Sequence, residues 1–114
     1  QQKMLDRMQR RIEKAGLRNV RALCAGAGDG ALPKEHFDRA VLATVLGEIP
    51  DRVRALREIR EALNQGGYLV VAEVIPDPHY QFKKKVAALG REAGLEPGEV
   101  RGGFMAYTMR LYRR

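Results

Sequence analysis

The stretches FDRAVLATVL at residues 37–46 and YLVVAEVI at residues 68–75 decide the fold. Each is apolar almost throughout, which is typical of a strand that is buried on both faces of a sheet. Between them, Pro50-Asp51 opens a helix to about Leu63, with apolar residues at helical spacing and proline in the first turn. Two buried strands joined by a helix predict an α/β sheet with helices on both faces.

The flanking sequence continues this alternation of helices and strands. Residues 2–15 carry apolar side chains at helical spacing, and residues 20–25 form a short apolar run that we interpret as a strand. Residues 79–93 predict a further helix. Residues 99–101 and 104–112 predict an antiparallel hairpin around a Gly-Gly turn.

Length and composition indicate one ordinary globular domain. The 114 residues are enough for a single domain, 45% are hydrophobic and 31% are charged. No apolar run approaches the ~18 residues of a membrane span, so we expect no membrane association. The single cysteine, Cys24, allows no internal disulfide, and a cytoplasmic setting is the expectation.

The net charge of +7 leaves two interpretations open. Solvated basic helix faces explain it without any partner. A nucleic-acid partner also fits a basic chain, although no Arg-Gly repeat or aromatic RNA-binding strand accompanies the charge. We therefore keep, as an alternative function, a non-catalytic basic α/β module that binds RNA or another anion.

The loop Gly26-Ala27-Gly28-Asp29-Gly30 has the glycine spacing of a nucleotide-binding loop. Such a loop requires a helix directly after it, and the next strand follows too soon for one, so an ordinary turn is favoured. Asp29 follows a predicted strand, where open α/β sheets bind ligands, and its carboxylate could accept a hydrogen bond from an adenine amino group. An aspartate that bonds its own turn explains the residue equally well.

Other chemistry-bearing residues give no independent site. His36, His79 and Cys24 lack metal-ligand spacing, so no metal is expected, and no nucleophile and base stand out as a catalytic pair. Glu48 follows a buried strand and could face a substrate. A helix-start acid favoured by the helix dipole is the other interpretation.

Three segments together carry a family resemblance: FDRAVLATVLGEIPD at 37–51, ALREI at 55–59 and LNQGGYLVV at 63–71. Their order and spacing, continued by EVIPDPHY at 73–80 and GGFMAYT at 102–108, resemble class I S-adenosylmethionine-dependent methyltransferases. The nearest likeness is to the group that includes quinone-biosynthesis and arsenite-type enzymes. The chain departs from that pattern at Gly47, where many relatives have histidine, and at Gln65, which replaces proline.

The resemblance implies a partial Rossmann-like methyltransferase sheet with a C-terminal antiparallel hairpin, and S-adenosylmethionine as the cofactor. It assigns residues 18–25, 37–45 and 68–75 to the family's third, fourth and fifth strands and the hairpin to its sixth and seventh. The implied cofactor contacts are Asp29, Gly30, Ala43, Thr44, Val45 and Leu46. The implied contacts with a small-molecule methyl acceptor are Glu48, His79, Tyr80, Phe104 and Tyr107.

By the same resemblance, residues 1–114 form a single truncated domain. The family's first strand, its glycine-rich cofactor loop and the acid ending its second strand would lie before Gln1. We therefore expect this chain by itself to be inactive. Because the missing strands belong beside residues 37–45, we also expect an unpaired edge that favours a homodimer, formed through that edge or by exchange of residues 1–25.

Overall fold

The structure is a computed structural model, and it describes residues 2–114. Within this range the helices are α1 (Gln2–Lys14), α2 (Arg52–Ala62) and α3 (Lys83–Glu92), with a 3₁₀ turn at Leu46–Glu48. The strands are β1 (Phe37–Ala43), β2 (Leu63–Val74), β3 (Glu96–Gly102) and β4 (Ala106–Tyr112). They form one sheet in the order β1-β2-β4-β3.

The pairing of the strands confirms the two main predictions. β1 and β2 are adjacent and parallel, with Ala40 opposite Leu69 and Ala43 opposite Ala72. β3 and β4 form an antiparallel hairpin, and β4 lies between β3 and β2. The sheet is therefore the predicted mixed α/β sheet, with β1 at one edge.

The two faces of this sheet differ in cover. The covered face carries Leu69, Val71 and Glu73 of β2 and Tyr107, Met109 and Leu111 of β4, all buried. Their apolar members form one core with α2 and α3, which includes Leu56, Ile59, Val86 and Leu89. The open face carries the alternate residues, among them Tyr68, Val70, Ala72, Val74, Ala106, Thr108 and Arg110. We expected helices on both faces of the sheet, but α2 and α3 both pack on the covered face.

The predicted strand at residues 20–25 is wrong for this structure, because the segment has no regular secondary structure and pairs with no described strand. A strand needs a neighbour to satisfy its backbone groups. No described strand lies beside this segment, so its apolar sequence alone does not make it a strand. Leu23 is accordingly exposed.

The remaining predicted boundaries differ in detail. β2 begins at Leu63 and runs through Gln65-Gly66-Gly67, whereas the sequence predicted a helix to about Leu63 and a strand from residue 68. Arg113 explains the extension, because its backbone N–H donates to the Gly67 carbonyl at 2.9 Å and its carbonyl accepts from the Gly66 N–H at 2.8 Å. β1 ends at Ala43 rather than Leu46, and β3 spans more residues than the predicted 99–101.

Candidate active site

The carboxyl ends of β1 and β2 meet at one edge of the sheet, because the two strands are parallel. Open α/β sheets bind ligands outside this edge. The ladder ends where the Thr44 N–H donates to the Ala72 carbonyl at 2.9 Å. The predicted cofactor residues Ala43 to Leu46 therefore lie at the edge where a ligand is expected.

Thr44 has an unusual backbone at this position. Its φ of +54° lies in the left-handed region, and its hydroxyl donates to the Ala43 carbonyl at 2.7 Å. A β-branched residue is disfavoured there, and strain of this kind persists only where the surroundings enforce it. The conformation turns the chain sharply out of β1 toward the 3₁₀ turn. Strained residues of this kind cluster at functional sites.

The 3₁₀ turn at Leu46–Glu48 follows residues predicted to contact the cofactor and packs against His79, which is predicted to contact the acceptor. Gly47 is buried against His79, and a Cβ at position 47 would collide with the His79 carbonyl oxygen. The guanidinium of Arg52 donates to the carbonyls of Leu46 and Gly47, at 3.2 and 2.7 Å. The Leu46 side chain lies in the core, so only its backbone reaches the edge. This packing explains why glycine occupies the position where many relatives have histidine.

The predicted acceptor residues Glu48 and His79 both lie at this contact, because Glu48 follows Gly47 and His79 packs against it. Glu48 is exposed at the end of the 3₁₀ turn, and its N–H donates to the Val45 carbonyl at 2.9 Å. His79 is also exposed, and its N–H donates to the Asp77 carboxylate at 2.7 Å. The structure thus brings the segments of both residues together.

Aromatic residues form a cluster beside them. The Tyr80 ring lies 5.2 Å from Phe82, 6.1 Å from Phe104 and 6.0 Å from Tyr107, measured between centroids. The Tyr80 hydroxyl donates to the Phe104 carbonyl at 2.6 Å, and the Tyr107 hydroxyl donates to the Gln81 carbonyl. The hairpin turn is thereby tied to the segment after β2. Three of the predicted acceptor residues belong to this cluster.

Glu73 is a buried carboxyl next to the cluster, 3% exposed and directly opposite Tyr107 in the ladder. Its Oε1 atom has no hydrogen-bond partner within the described residues. Burial raises the pKa of Glu73 above its ordinary value, and the nearby charge of Asp77 raises it further, against a smaller opposing effect of the Gln81 backbone. Burial also raises the pKa of Tyr107, with Glu73 adding to the effect. The neutral carboxyl is therefore favoured at this position.

The glycine-rich loop lies on the other side of β1, against α2. The Gly30 N–H donates to the Glu58 carboxylate, and the Asp29 N–H donates to the Gly26 carbonyl at 3.1 Å. Residues 31–36 contain no helix, so the favoured interpretation as a turn is confirmed. A cavity of about 300 Å³ lies between the loop, β1 and α2, lined in part by Gly28, Leu42 and Ala55. Asp29 is exposed beside it.

A family model described as a methyltransferase domain matches residues 1–71. This is more than half of the chain, and it includes β1 and most of β2. The chain belongs to the methyltransferase domain family. The coarser part of the predicted resemblance is thereby confirmed.

One curated relative and two solved structures illustrate the likeness. The methyltransferase tpcH of Aspergillus fumigatus is 32% identical over 69 residues, which are 60% of this chain and 24% of that protein. A SAM-dependent methyltransferase from Aquifex aeolicus superposes with a TM-score of 0.88 at 20% identity, over 100% of this chain and 65% of that one. The O-methyltransferase NcsB1, solved with S-adenosyl-L-homocysteine, gives a TM-score of 0.75 at 18% identity, over 94% of this chain and 38% of that one.

The chain thus spans about a quarter of the curated methyltransferase and about two thirds of the Aquifex one. Membership in the methyltransferase domain family, together with neighbours solved as SAM-dependent enzymes, supports S-adenosylmethionine as the cofactor of this domain. These comparisons do not support the alternative of a basic RNA-binding module.

None of the described helices is both long and apolar enough to cross a membrane. The described side chains also contain no cluster of three metal-ligating residues.

Sequence reasoning missed Phe82 and underused Glu73. Phe82 falls within the helix predicted over residues 79–93, whereas in the structure it precedes α3 and is exposed beside Tyr80. Glu73 is the one acid within the apolar run at 68–75, and a charged residue in a buried strand is a signal for a special environment. Arg52 could not have been found, because its partners are backbone carbonyls whose positions depend on the fold.

Proposed function

We propose that this chain forms the cofactor-edge and acceptor-binding portion of an S-adenosylmethionine-dependent methyltransferase that acts on a small molecule. The observation that supports this most is the convergence of two segments at one sheet edge. The strained end of β1 at Thr44 leads into the turn that packs against His79, and His79 leads into the aromatic cluster. A donor site and an acceptor site would thus adjoin.

S-adenosylmethionine, when bound, supplies a methyl group on a sulfonium, so that an acceptor lone pair forms the new bond to carbon while the C–S electron pair goes to sulfur. The residues of this chain would align the two partners and exclude water. Ala43, Thr44 and Val45 would contact the cofactor through the exposed end of β1, and Asp29 and Gly30 through the adjoining loop. Glu48, His79, Tyr80, Phe104 and Tyr107 would contact the acceptor.

Residues 1–114 alone are expected to transfer methyl groups at a negligible rate. The resemblance places the glycine-rich cofactor loop and the ribose acid before residue 1. Each charge-assisted hydrogen bond of that kind contributes roughly 1.5–3 kcal/mol. Two lost bonds would reduce cofactor affinity ~10²–10⁴-fold. A normal enzymatic rate from residues 1–114 would overturn this part of the proposal.

Titration with S-adenosylhomocysteine tests the cofactor edge despite weak binding. Amide chemical shifts of Thr44 and Val45 should move on addition of the ligand, because these residues end β1. Asp29→Asn should weaken binding about tenfold, since it removes one charge-assisted contact. Asp38→Asn is the matched control, because Asp38 is an exposed acid near the opposite end of β1. Shift changes confined to the amino end of β1, or equal effects of the two variants, would contradict the assignment.

We further propose that the outer edge of β1 pairs with a second copy of the chain or with exchanged residues 1–25. β1 is an edge strand, Val41 is 65% exposed, and Met4 of α1 is 64% exposed. Val41→Lys should convert a dimer to a monomer in light scattering, because a charge on an edge strand opposes pairing. Val100→Lys on β3, the other edge, should leave the dimer intact. A monomer at high micromolar concentration of the unaltered chain would exclude this arrangement.

The narrower likeness to quinone-biosynthesis and arsenite-type enzymes, and a cytoplasmic setting, complete the proposal. The likeness to these enzymes rests on the sequence motifs. The cytoplasmic setting rests on the exposed free thiol of Cys24. Incubating a longer chain that includes the glycine-rich loop with candidate acceptors would test the first.

A further inference from the structure

A cavity of about 390 Å³ lies between the aromatic cluster and the start of α3, lined by Tyr80, Phe82, Phe104, Lys83 and Lys84. Three rings and two ammonium groups therefore share one concave surface. Tyr80 and Phe104 are residues that the resemblance implies for the acceptor, whereas Phe82 and the two lysines are not. The volume falls within the range of small-molecule sites.

The rings present faces and edges to this cavity at fixed angles. Tyr80 and Phe82 meet edge to face at 86°, and Phe82 and Phe104 are inclined by 33° with centroids 5.9 Å apart. Phe82 is 58% exposed and Phe104 is 62% exposed. Large aromatic side chains held at such exposure leave apolar ring surface without cover, which suits a planar ring as occupant.

The charge of the cavity lining is positive, because its charged side chains are Lys83 and Lys84. The first turn of α3 contains Lys83, Lys84 and Lys85 and no acidic residue. The Lys83 ammonium lies 5.6 Å from the centroid of Tyr107, so its side chain leans toward the cluster rather than into solvent. Ammonium groups at the rim of an aromatic cavity favour an occupant that carries a negative charge.

We propose that this cavity binds a planar aromatic carboxylate, with its ring against Phe82 and Phe104 and its carboxylate beside Lys83 and Lys84. This inference rests on the proposed function, of which it specifies the acceptor class. In transfer, a ring hydroxyl oxygen bonds the methyl carbon and loses its proton to solvent, while sulfur takes the electron pair of the C–S bond. Phe82, Lys83 and Lys84 are then specificity-determining residues for the acceptor.

Binding of indole-3-carboxylate to residues 1–114, followed by ligand fluorescence and by amide shifts, tests the proposal. Indole-3-carboxamide retains the ring without the charge, and cyclohexanecarboxylate retains the charge without the aromatic ring. The carboxylate should bind at least about fivefold more tightly than either analogue. Equal binding of the amide would show that the lysines do not recognise the ligand. Equal binding of the cyclohexane acid would show that the aromatic rings do not recognise it. Either result overturns the proposal.

Matched variants locate the site. The double variant Lys83→Gln, Lys84→Gln should weaken the carboxylate about fivefold and leave the amide unchanged, whereas Lys85→Gln, outside the cavity lining, should change neither. Phe104→Ala should weaken both aromatic ligands about threefold to tenfold, and Met105→Ala, its exposed neighbour, should not. All five positions are at least partly exposed, so circular dichroism should show the fold retained. Equal losses in target and control variants would overturn the site.

Competition with S-adenosylhomocysteine separates this inference from the function on which it rests. Simultaneous binding of both ligands is expected. Displacement of indole-3-carboxylate by S-adenosylhomocysteine would assign the cavity to the cofactor and overturn the acceptor class. Binding of S-adenosylhomocysteine without binding of indole-3-carboxylate would overturn the acceptor class and leave the methyltransferase function standing. Binding of indole-3-carboxylate without S-adenosylhomocysteine would leave a carboxylate-binding cavity and overturn its role as the acceptor site.

Discussion

The two faces of β2 have nearly the same sequence character and opposite environments. Val71, on the covered face, is fully buried under α2 and α3, whereas its neighbour Val70, on the open face, is only partly buried. A continuous apolar run in a strand therefore does not specify which face of the sheet the helices cover. What decides it here is the position of the two helices whose apolar stripes join the core.

The largest expected difference comes from truncating these two valines. Val71→Ala should lower the free energy of unfolding by about 2–3 kcal/mol, because two buried carbons are lost and a cavity remains in a closed core. Val70→Ala, the same change one residue earlier, should cost less than about 1 kcal/mol. Urea unfolding of the two variants provides the measurement. Similar losses for both would show that the open face is covered in solution.

The buried Arg113 links the carboxyl end of α2 to the start of β2. The Arg113 guanidinium, 6% exposed, donates to the carbonyls of Arg60 at 3.1 Å, Glu61 at 3.3 Å and Leu63. It therefore adds a second donor to two carbonyls at the carboxyl end of α2 and ties them to the start of β2. Arg113→Ala should cost about 1–2 kcal/mol of stability in thermal unfolding.

Arg114 is the control for this prediction. It is exposed, and its guanidinium lies 3.6 Å from the Glu96 carboxylate. Exposed ion pairs contribute little, so Arg114→Ala should stay within about 0.5 kcal/mol of the unaltered protein. Equal effects at the two positions would mean that charge, rather than capping of α2, accounts for the loss.

Glu73 is the one acidic residue among the buried residues of the covered face. The stability of the protein should therefore depend on pH through this residue. The pKa of Glu73 is raised in the folded chain, so the contribution of this residue to stability is fully present below its unfolded pKa and is lost as pH rises through the folded value. Glu73→Gln keeps the shape and removes the charge. The stability of the variant relative to the unaltered chain should be about 1 kcal/mol greater at pH 8 than at pH 4, because the raised pKa makes the folded unaltered chain lose stability as pH rises.

Melting temperatures measured between pH 4 and pH 8 check this prediction. The exposed Glu92, at the end of α3, is the matched position, and Glu92→Gln should not alter the slope with pH. A Glu73→Gln protein that loses stability at every pH would show that a paired carboxylate, rather than a neutral acid, is required beneath the acceptor segment.

The sequence predicted the strands that carry their own signal and failed where structure depends on a neighbour. Residues 37–43 and 68–74 were predictable as strands because such apolar runs are typical of parallel sheets, although the predicted burial of residues 37–43 on both faces is wrong, since no residue of β1 is fully buried. Val20 to Ala25 has a similar pattern but no adjacent strand, and no local pattern encodes that condition. At the candidate site, the motifs indicated Thr44 and Tyr80. The left-handed backbone of Thr44 and the contact of Gly47 with His79 follow only from tertiary packing.

The smallest expected effect concerns the open face at the amino end of β2. There the guanidinium carbons of Arg39 and Arg110 lie 4.2 and 4.5 Å from the centroid of the Tyr68 ring. Cation–π contacts of this kind contribute about 0.5–1 kcal/mol at exposed sites. Arg39→Gln should therefore cost about 0.5 kcal/mol, since Arg110 still contacts the ring.

A double-mutant cycle isolates this contact from the loss of charge in a basic chain. In a Tyr68→Leu background, Arg39→Gln should have no effect on stability, because the ring that attracts the guanidinium is gone. An unchanged cost in that background would assign the effect to the strand rather than to the ring. If both single variants were instead as damaging as Val71→Ala, the open face at this end would have to be packed as tightly as the covered one. The contrast between the two faces of β2 would then disappear at its amino end.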